Sequence, residues 1–222
     1  MDIILKNVSR SYQGYDGSKV EVIKDLSIEM KKGSVLRLKG PSGSGKTTLM
    51  NMISGLILPD SGSVTVNGVE ISGLHESARD SFRAGNIGYI FQTFNLLSPF
   101  SVIENVYAPL AFAGKLPENY RQKALDILNE VGLTGLENRR PYHLSVGQRQ
   151  RVSVARVLFL KPAVILADEP TASLDAVSAK TVYDSISKCR DNGSTIVLAS
   201  HDTTFDGLTA DAVLDLETGR VS

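Results

Sequence analysis

The stretch Gly40-Pro41-Ser42-Gly43-Ser44-Gly45-Lys46-Thr47 has the residue types and spacing that hold a polyphosphate. It fits G-x-x-x-x-G-K-[ST], a phosphate-binding loop. Such a loop aims backbone N–H groups inward at phosphate oxygens. A Cβ at the crowded positions would block that approach, and glycine removes it while opening unusual φ/ψ. Lys46 then brings a mobile positive charge, and the Thr47 hydroxyl is placed to ligate Mg²⁺.

A second group is Ala167-Asp168-Glu169. A loop of this kind needs a carboxylate at a strand end to hold Mg²⁺, and Asp168 fits. Glu169 points differently and can act as general base for an attacking water. A third group, Leu144-Ser145-Val146-Gly147-Gln148, precedes a helix expected over about 149–160. Ser and Gly at a helix N-terminus form either a plain N-cap or a second anion site.

Elements must position these groups. Val35, Leu36 and Leu38 read as the strand before the loop, although Arg37 and Lys39 break the apolar run expected of a buried parallel strand. Lys46-Thr47-Thr48-Leu49-Met50-Asn51-Met52-Ile53 reads as a helix with its positive end on the phosphates. Earlier, Ile3-Ile4-Leu5 with Val8 predicts a strand, 11–18 a loop, and 20–23 and 26–30 two further strands. Pro59 to Ser63 reads as a turn, and 64–71 as a hairpin about Asn67-Gly68. Strands are expected at 87–92, 164–167 and 195–200, a helix over about 176–189, and a closing hairpin in 213–221. Residues 93–160 carry helical spacing, as in Ala124, Leu125, Leu128 and Val131. The expected organisation is one α/β unit: a core of 1–92 and 161–222 with a mixed sheet and an antiparallel portion, and a helical subdomain at 93–160.

At 222 residues and 42% hydrophobic, the chain has ample core for this. Lys+Arg 24 balance Asp+Glu 24, so nothing favours nucleic acid or an anionic membrane surface. The lone Cys189 reads as an inert buried thiol. The stretch Met1-Asp2-Ile3-Ile4-Leu5-Lys6 is too short and charged for a signal peptide, and no uncharged apolar run reaches membrane-spanning length. A cytoplasmic chain is expected, reaching a membrane only through a partner.

The phosphate loop at 40–47, Gln92, the 144–148 stretch, the strand and acidic pair at 164–169, Ser173-Leu174-Asp175 and His201 occur in the order found in the ABC transporter ATPases. The chain resembles that family over essentially its whole length. The runs Tyr89-Ile90-Phe91-Gln92-Thr93-Phe94-Asn95-Leu96-Leu97 and Asp168-Glu169-Pro170-Thr171-Ala172-Ser173-Leu174-Asp175 look like its lipoprotein-releasing and macrolide-export group. The resemblance implies an α/β P-loop ATPase in which two identical chains sandwich two ATP–Mg²⁺. It implies that Gly40 to Thr47 and Thr48 bind ATP, and that Gln92 joins Thr47 and Asp168 at Mg²⁺ and reaches the attacking water. His201 would hydrogen-bond the γ-phosphate. Leu144 to Gln148 would meet the ATP of the opposite subunit, with Ser173, Leu174 and Asp175 across the dimer interface. Tyr12 would stack on adenine, with Tyr15 as a rival. A cytoplasmic helix of a transmembrane permease would dock near Phe94, Leu96, Leu97, Pro99 and Phe100, which on periodicity alone read as either core or a docking surface.

One residue departs from the family pattern. The motif usually reads Leu-Ser-Gly-Gly-Gln, and Val146 stands at the first glycine. A left-handed φ there would cost a β-branched residue on the order of 1–2 kcal/mol; in a first helical turn Val is tolerated. Two other functions remain open: a regulator relaying ATP state through a membrane protein to an extracytoplasmic enzyme, and a DNA-repair ATPase of the same superfamily. The second would need sustained heptads or a basic face, and neither is present.

Overall fold

The computed structural model describes residues 2–14, 17–172, 174–200 and 203–222. Strand β1 (Ile3–Gln13) runs antiparallel to β2 (Lys19–Met30), from Ile3 opposite Met30 out to Gln13 opposite Lys19. Ser11, Tyr12 and Gln13 are therefore strand, not loop. Main-chain pairing alone extends the ribbon there, so no apolar alternation announces it. The two strands expected between 20 and 30 are one. Asp25, with φ 43°, marks a bulge in it, and its N–H donates to Ser9 Oγ at 2.9 Å. Opposite it, Asn7 (φ 48°) donates from Nδ2 to Asp25 Oδ1 at 2.9 Å.

Next come β3 (Val35–Lys39), α1 (Lys46–Ile53), β4 (Ser61–Val66) and β5 (Val69–Glu70). The Asn67-Gly68 hairpin is as expected, with φ 47° and 77°. The turn expected over 59–63 is shorter, because Ser61 and Ser63 already pair with Ser9 and Lys6 of β1. These strands make an antiparallel sheet in the order β2-β1-β4-β5.

Helix α2 (Glu76–Asn86) was not legible: it buries no residue, so no apolar stripe marks it. It leads into β6 (Ile87–Ile90), which stops short of Gln92. Then follow α3 (Val102–Phe112), α4 (Tyr120–Glu130), α5 (Val146–Leu160), β7 (Val164–Asp168), α6 (Ala176–Asp191), β8 (Thr195–Ala199), β9 (Ala212–Asp215) and β10 (Arg220–Val221). The second sheet runs β10-β9-β3-β8-β7-β6, parallel except for the β9–β10 pair. Among the described residues no helix is long and apolar enough to cross a membrane.

The parallel sheet is covered on both faces, which is why its central strands are apolar throughout. Leu36, Leu38, Val164, Leu166 and Val197 face α1 and the antiparallel sheet. Ile165, Ala167, Ile196 and Leu198 face the core shared by α3, α4, α5 and α6. Cys189 lies in that second core, and burial pushes its thiol up to about 11, so it stays protonated. The charge at Arg37 finds its account here: Nη2 donates to the Phe205 carbonyl at 2.7 Å and Nη1 to Asp206 Oδ1 at 3.3 Å. Lys39 sits exposed at the strand end.

One hydroxyl ties the two sheets together. Thr195, fully buried at the start of β8, donates from Oγ1 to Asp2 Oδ2 at 2.7 Å and accepts from Gly33 N at 2.9 Å. Asp2 in turn donates its N–H to Met30 O and accepts from Asn67 N. Thr195→Val preserves shape but strands the Gly33 N–H and the Asp2 carboxylate. A loss of about 1–3 kcal/mol is expected, a drop in Tm of roughly 3–10 °C for a chain of this size. A melt within a degree of the parent would show that this hydroxyl carries no weight.

Candidate functional site

Strand β3 delivers the chain to the loop at 40–45, and α1 carries it away. Gly45 is the N-cap of α1 in the left-handed region, at φ 99°. A Cβ there would lie 2.7 Å from Val22 Cγ1, so both backbone and packing require glycine. Lys46 then lies back across the loop, with Nζ donating to the carbonyls of Gly40 at 2.6 Å and Pro41 at 2.9 Å.

Two strands away across the sheet, β7 ends at Asp168. The Thr47 hydroxyl donates to Asp168 Oδ2 at 2.7 Å, joining the two expected metal ligands across the sheet. Glu169 follows at φ 46°, a left-handed conformation that costs a non-glycine residue about 1–3 kcal/mol. Its N–H donates to Ala199 O at 2.8 Å. The next carbonyl, Pro170 O, accepts from Nε2 of buried Gln150 at 2.7 Å, so α5 braces this strained turn.

These groups open on a cleft of 520 Å³. Its floor is Ser42, Gly43, Gly45, Lys46, Thr47 and Thr48; Gln92, Asp168 and Glu169 lie along one side. Tyr12 stands at the mouth, 40% exposed, with the Arg10 guanidinium 5.1 Å from its ring centre. Gly40, Pro41 and Ser44 support the loop without lining the cleft. Sequence reasoning missed two lining residues, Val22 and Ala172. Val22 had a faint signal, lying on the strand that pairs with Tyr12's. Tyr15, Ser173 and His201 lie outside the described residues.

The donors suit Mg²⁺. Thr47 and Asp168 offer oxygens that already converge, with Gln92 beside them. Among the described residues no group of three or more His, Cys, Asp or Glu could cage a metal alone. A cation held by few protein oxygens plus water and phosphate is the habit of Mg²⁺.

Residues 144–148 do not line this cleft. Leu144 is buried, Ser145 caps α5, and Val146, Gly147 and Gln148 are already helix, which corrects the expected start at 149. The reason is a capping box: Gln148 N donates to Ser145 Oγ at 3.2 Å and Ser145 N to Gln148 Oε1 at 2.9 Å. Val146 therefore needs no left-handed φ, and its side chain is 38% exposed. Gly147 is the constrained position, since a Cβ would meet Ser178 Oγ at 2.6 Å. Ser178 donates from N and Oγ to the Asp175 carboxylate, each at 2.9 Å. Those bonds, the backbone one first, hold Asp175 below the usual carboxylate range. Leu174 packs against the α3–α6 core.

The stretch after Gln92 divides. Leu97 and Pro99 are exposed, while Phe94, Leu96 and Phe100 are half-buried. Phe100 leans on Phe112, 71% exposed, at 6.0 Å between ring centres. Phe112 borders a 270 Å³ groove lined by Leu56, Phe91, Pro109, Val157 and Leu160, with Arg83 and Arg156 among its polar residues.

The family model described as ABC transporter matches residues 23–172. ABC transporter ATP-binding protein YtrE of Bacillus subtilis (strain 168) is 44% identical over 186 residues, 83% of this chain and 80% of that protein. Lipoprotein-releasing system ATP-binding protein LolD of Bacteroides thetaiotaomicron is 39% identical over 201 residues, 90% of this chain and 90% of that protein. Macrolide export ATP-binding/permease protein MacB of Mannheimia succiniciproducens is 37% identical over all 222 residues, which span 34% of its length. A solved dimer of the ATP-binding cassette MJ0796, in a post-hydrolysis state bound to ADP and Pi, has a TM-score of 0.90 at 32% identity. It covers 99% of this chain and 97% of that one.

The two adjacent positions at the start of α5 make a paired test. Gly147→Ala should displace the Ser178 hydroxyl from Asp175 and lower stability by about 1–2 kcal/mol. Val146→Gly should change stability by no more than about 0.5 kcal/mol. Denaturant melts showing the reverse order would overturn this reading of the turn.

Proposed function

This chain belongs to the ABC transporter family and is an ATP-hydrolysing subunit of the lipoprotein-releasing and macrolide-export group; from that premise we propose that two copies close around two ATP molecules to drive a membrane permease. The observation that carries the reading is the Thr47–Asp168 hydrogen bond at the floor of the cleft, with Glu169 the next residue. The backbone of 40–45 and Lys46 take the phosphates, Lys46 exchanging the Gly40 and Pro41 carbonyls for phosphate oxygens. Tyr12 stacks on the base, its ring backed by Arg10. Thr47, Asp168 and Gln92 hold Mg²⁺, which when bound neutralises charge on the phosphoryl oxygens. Glu169 orients a water and accepts its proton, while Gln92 and His201 steady the water and the γ-phosphate.

Ser145, Val146, Gly147 and Gln148 lie away from the chain's own cleft, which fits a role on the ATP of the other copy. Leu144 anchors them in the core, and Asp175 stands beside them through Gly147 and Ser178; with Ser173 and Leu174 it is assigned to the interface between the copies. The helical segment 93–160 is the part that carries this motif towards the partner copy. The dimeric state of the MJ0796 neighbour supports this arrangement.

The permease docks near the stretch Phe94 to Phe100, at the groove bordered by Phe112, on whose ring Phe100 leans. Its occupant is an apolar helix end on the cytoplasmic side of the permease. The support is the relative named ATP-binding/permease protein, in which this chain spans only the ATP-binding third. The chain then works peripherally on the inner face of the membrane. The relatives named for macrolide export and lipoprotein release favour export, or extraction of lipid or lipoprotein.

Glu169→Gln keeps size and hydrogen bonding but cannot take a proton. ATP binding should persist and hydrolysis fall by roughly 10²–10⁴-fold, and the protein should elute as a dimer on size exclusion only with ATP. Turnover near that of the parent would remove Glu169 from this role. Phe112→Ser should leave basal ATPase and Tm intact while abolishing stimulation by the reconstituted permease. Full stimulation would move the docking site elsewhere.

A further inference from the structure

The loop that carries Gln92 is held from an unexpected quarter. Arg156, in the middle of α5, donates from Nη2 to the Phe94 carbonyl at 2.7 Å and from Nη1 to the Asn95 carbonyl at 3.0 Å. Both acceptors sit in the left-handed region, Phe94 at φ 64° and Asn95 at φ 45°, and neither is glycine. Such conformations persist only where the surroundings over-determine them. Seven residues earlier on α5, two turns away on the same face, the Arg149 guanidinium lies 5.4 Å from the centre of the Phe94 ring. Phe94 is thus gripped twice by one helix, at its ring and at its carbonyl.

Arg156 has no carboxylate within ion-pair distance among the described residues. Burial pulls its pKa down to about 10, and it remains charged at neutral pH. A desolvated cation spent on two backbone carbonyls and, at 3.4 Å, the Ser153 hydroxyl of its own helix is a poor stabilising device, but a guanidinium fork fixes two acceptors in one plane as no other side chain does. The loop between is stiff. Phe94 N donates to Phe91 O at 3.2 Å and Asn95 N to Thr93 O at 2.8 Å. At the near end the Phe91 ring stacks on Tyr89 at 3.8 Å with the planes 3° apart. Gln92 lies between that stack and the fork, with little slack on either side.

We propose that Arg156 is a positioning residue for Gln92: its fork on Phe94 and Asn95 makes the Gln92 loop follow α5 as a rigid body. The helix that opens at Ser145 would then set Gln92 in its own subunit's cleft whenever its N-terminus engages the nucleotide of the other copy. Arg156 also borders the groove beside Phe112, so an occupant there acts on the same strut. The inference rests on the role given to Gln92 above.

The test compares Arg156→Lys, Gln92→Ala and the double variant, each as purified full chain. Arg156→Lys keeps the cation and loses the fork. ATP affinity by titration calorimetry should stay within about 3-fold of the parent, because the phosphate loop is untouched. The kcat should fall about 10–100-fold, as expected for a displacement near 1 Å, and the Mg²⁺ concentration for half-maximal turnover should rise. The double variant should be no slower than Gln92→Ala alone, since both act through one group. Asn95→Gly guards against a folding failure at Arg156. It leaves the fork and both carbonyls in place but slackens the turn, and should lower kcat about 3–10-fold with Tm unchanged. Parental kcat in Arg156→Lys or in Asn95→Gly overturns the proposal. So do multiplicative effects in the double variant, or a joint fall of affinity, kcat and Tm, which would mark a merely structural role. Should Gln92→Ala itself turn over at the parental rate, the reading of Gln92 fails first and this inference with it.

Discussion

The hydrogen bond from Thr47 to Asp168, 2.7 Å long between residues 121 apart, is the contact on which the site depends. It exists only because β8 lies between β3 and β7 with all three parallel, so their C-terminal ends open at one edge. The chain leaves β3 into α1 on one face and arrives at β7 from α5. Ligands in open parallel sheets bind where such connections part, outside the carboxyl ends of the strands. A slip of one residue in β7 would exchange its two buried faces and turn Asp168 away from the loop.

The edge of the sheet that opens on the cleft is assembled from backbone that is not at rest. Glu169, Phe94 and Asn95 all hold left-handed conformations without being glycine. Each is braced by a side chain of α5: Gln150 on Pro170 O, Arg156 on Phe94 O and Asn95 O. The same helix begins at the Ser145 capping box and adjoins Asp175 through Gly147. A single rigid rod thus touches Pro170 next to Glu169, the Gln92 loop and the junction with α6. Strain at these points is the kind a fold retains where geometry matters more than stability.

Legibility followed the physics of each signal. The loop at 40–47, Asp168 and Glu169, which line one cleft, were picked out by the sequence because the chemistry expected of them admits few residue types. Central strands were readable because burial on both faces makes them apolar runs, and the Asn67-Gly68 turn because few residues accept its dihedrals. Helix α2 and the outer half of the β1–β2 ribbon were not. Neither buries a face, so main-chain hydrogen bonds hold them without leaving a pattern in the side chains. Val22 and Ala172 were invisible as wall residues, since a small apolar side chain has no chemistry of its own.

By itself, then, the sequence determined the chemistry and the class of fold: local residue identities decide what can cradle a phosphate, and apolar periodicity decides what can be buried. The tertiary structure alone decided how the groups meet. That Thr47 reaches Asp168, that Val146 opens a helix instead of straining a turn, and that two arginines seven residues apart converge on Phe94 are consequences of strand order and helix packing. Those depend on contacts between residues distant in the chain, for which no local pattern of residue types stands as a signal.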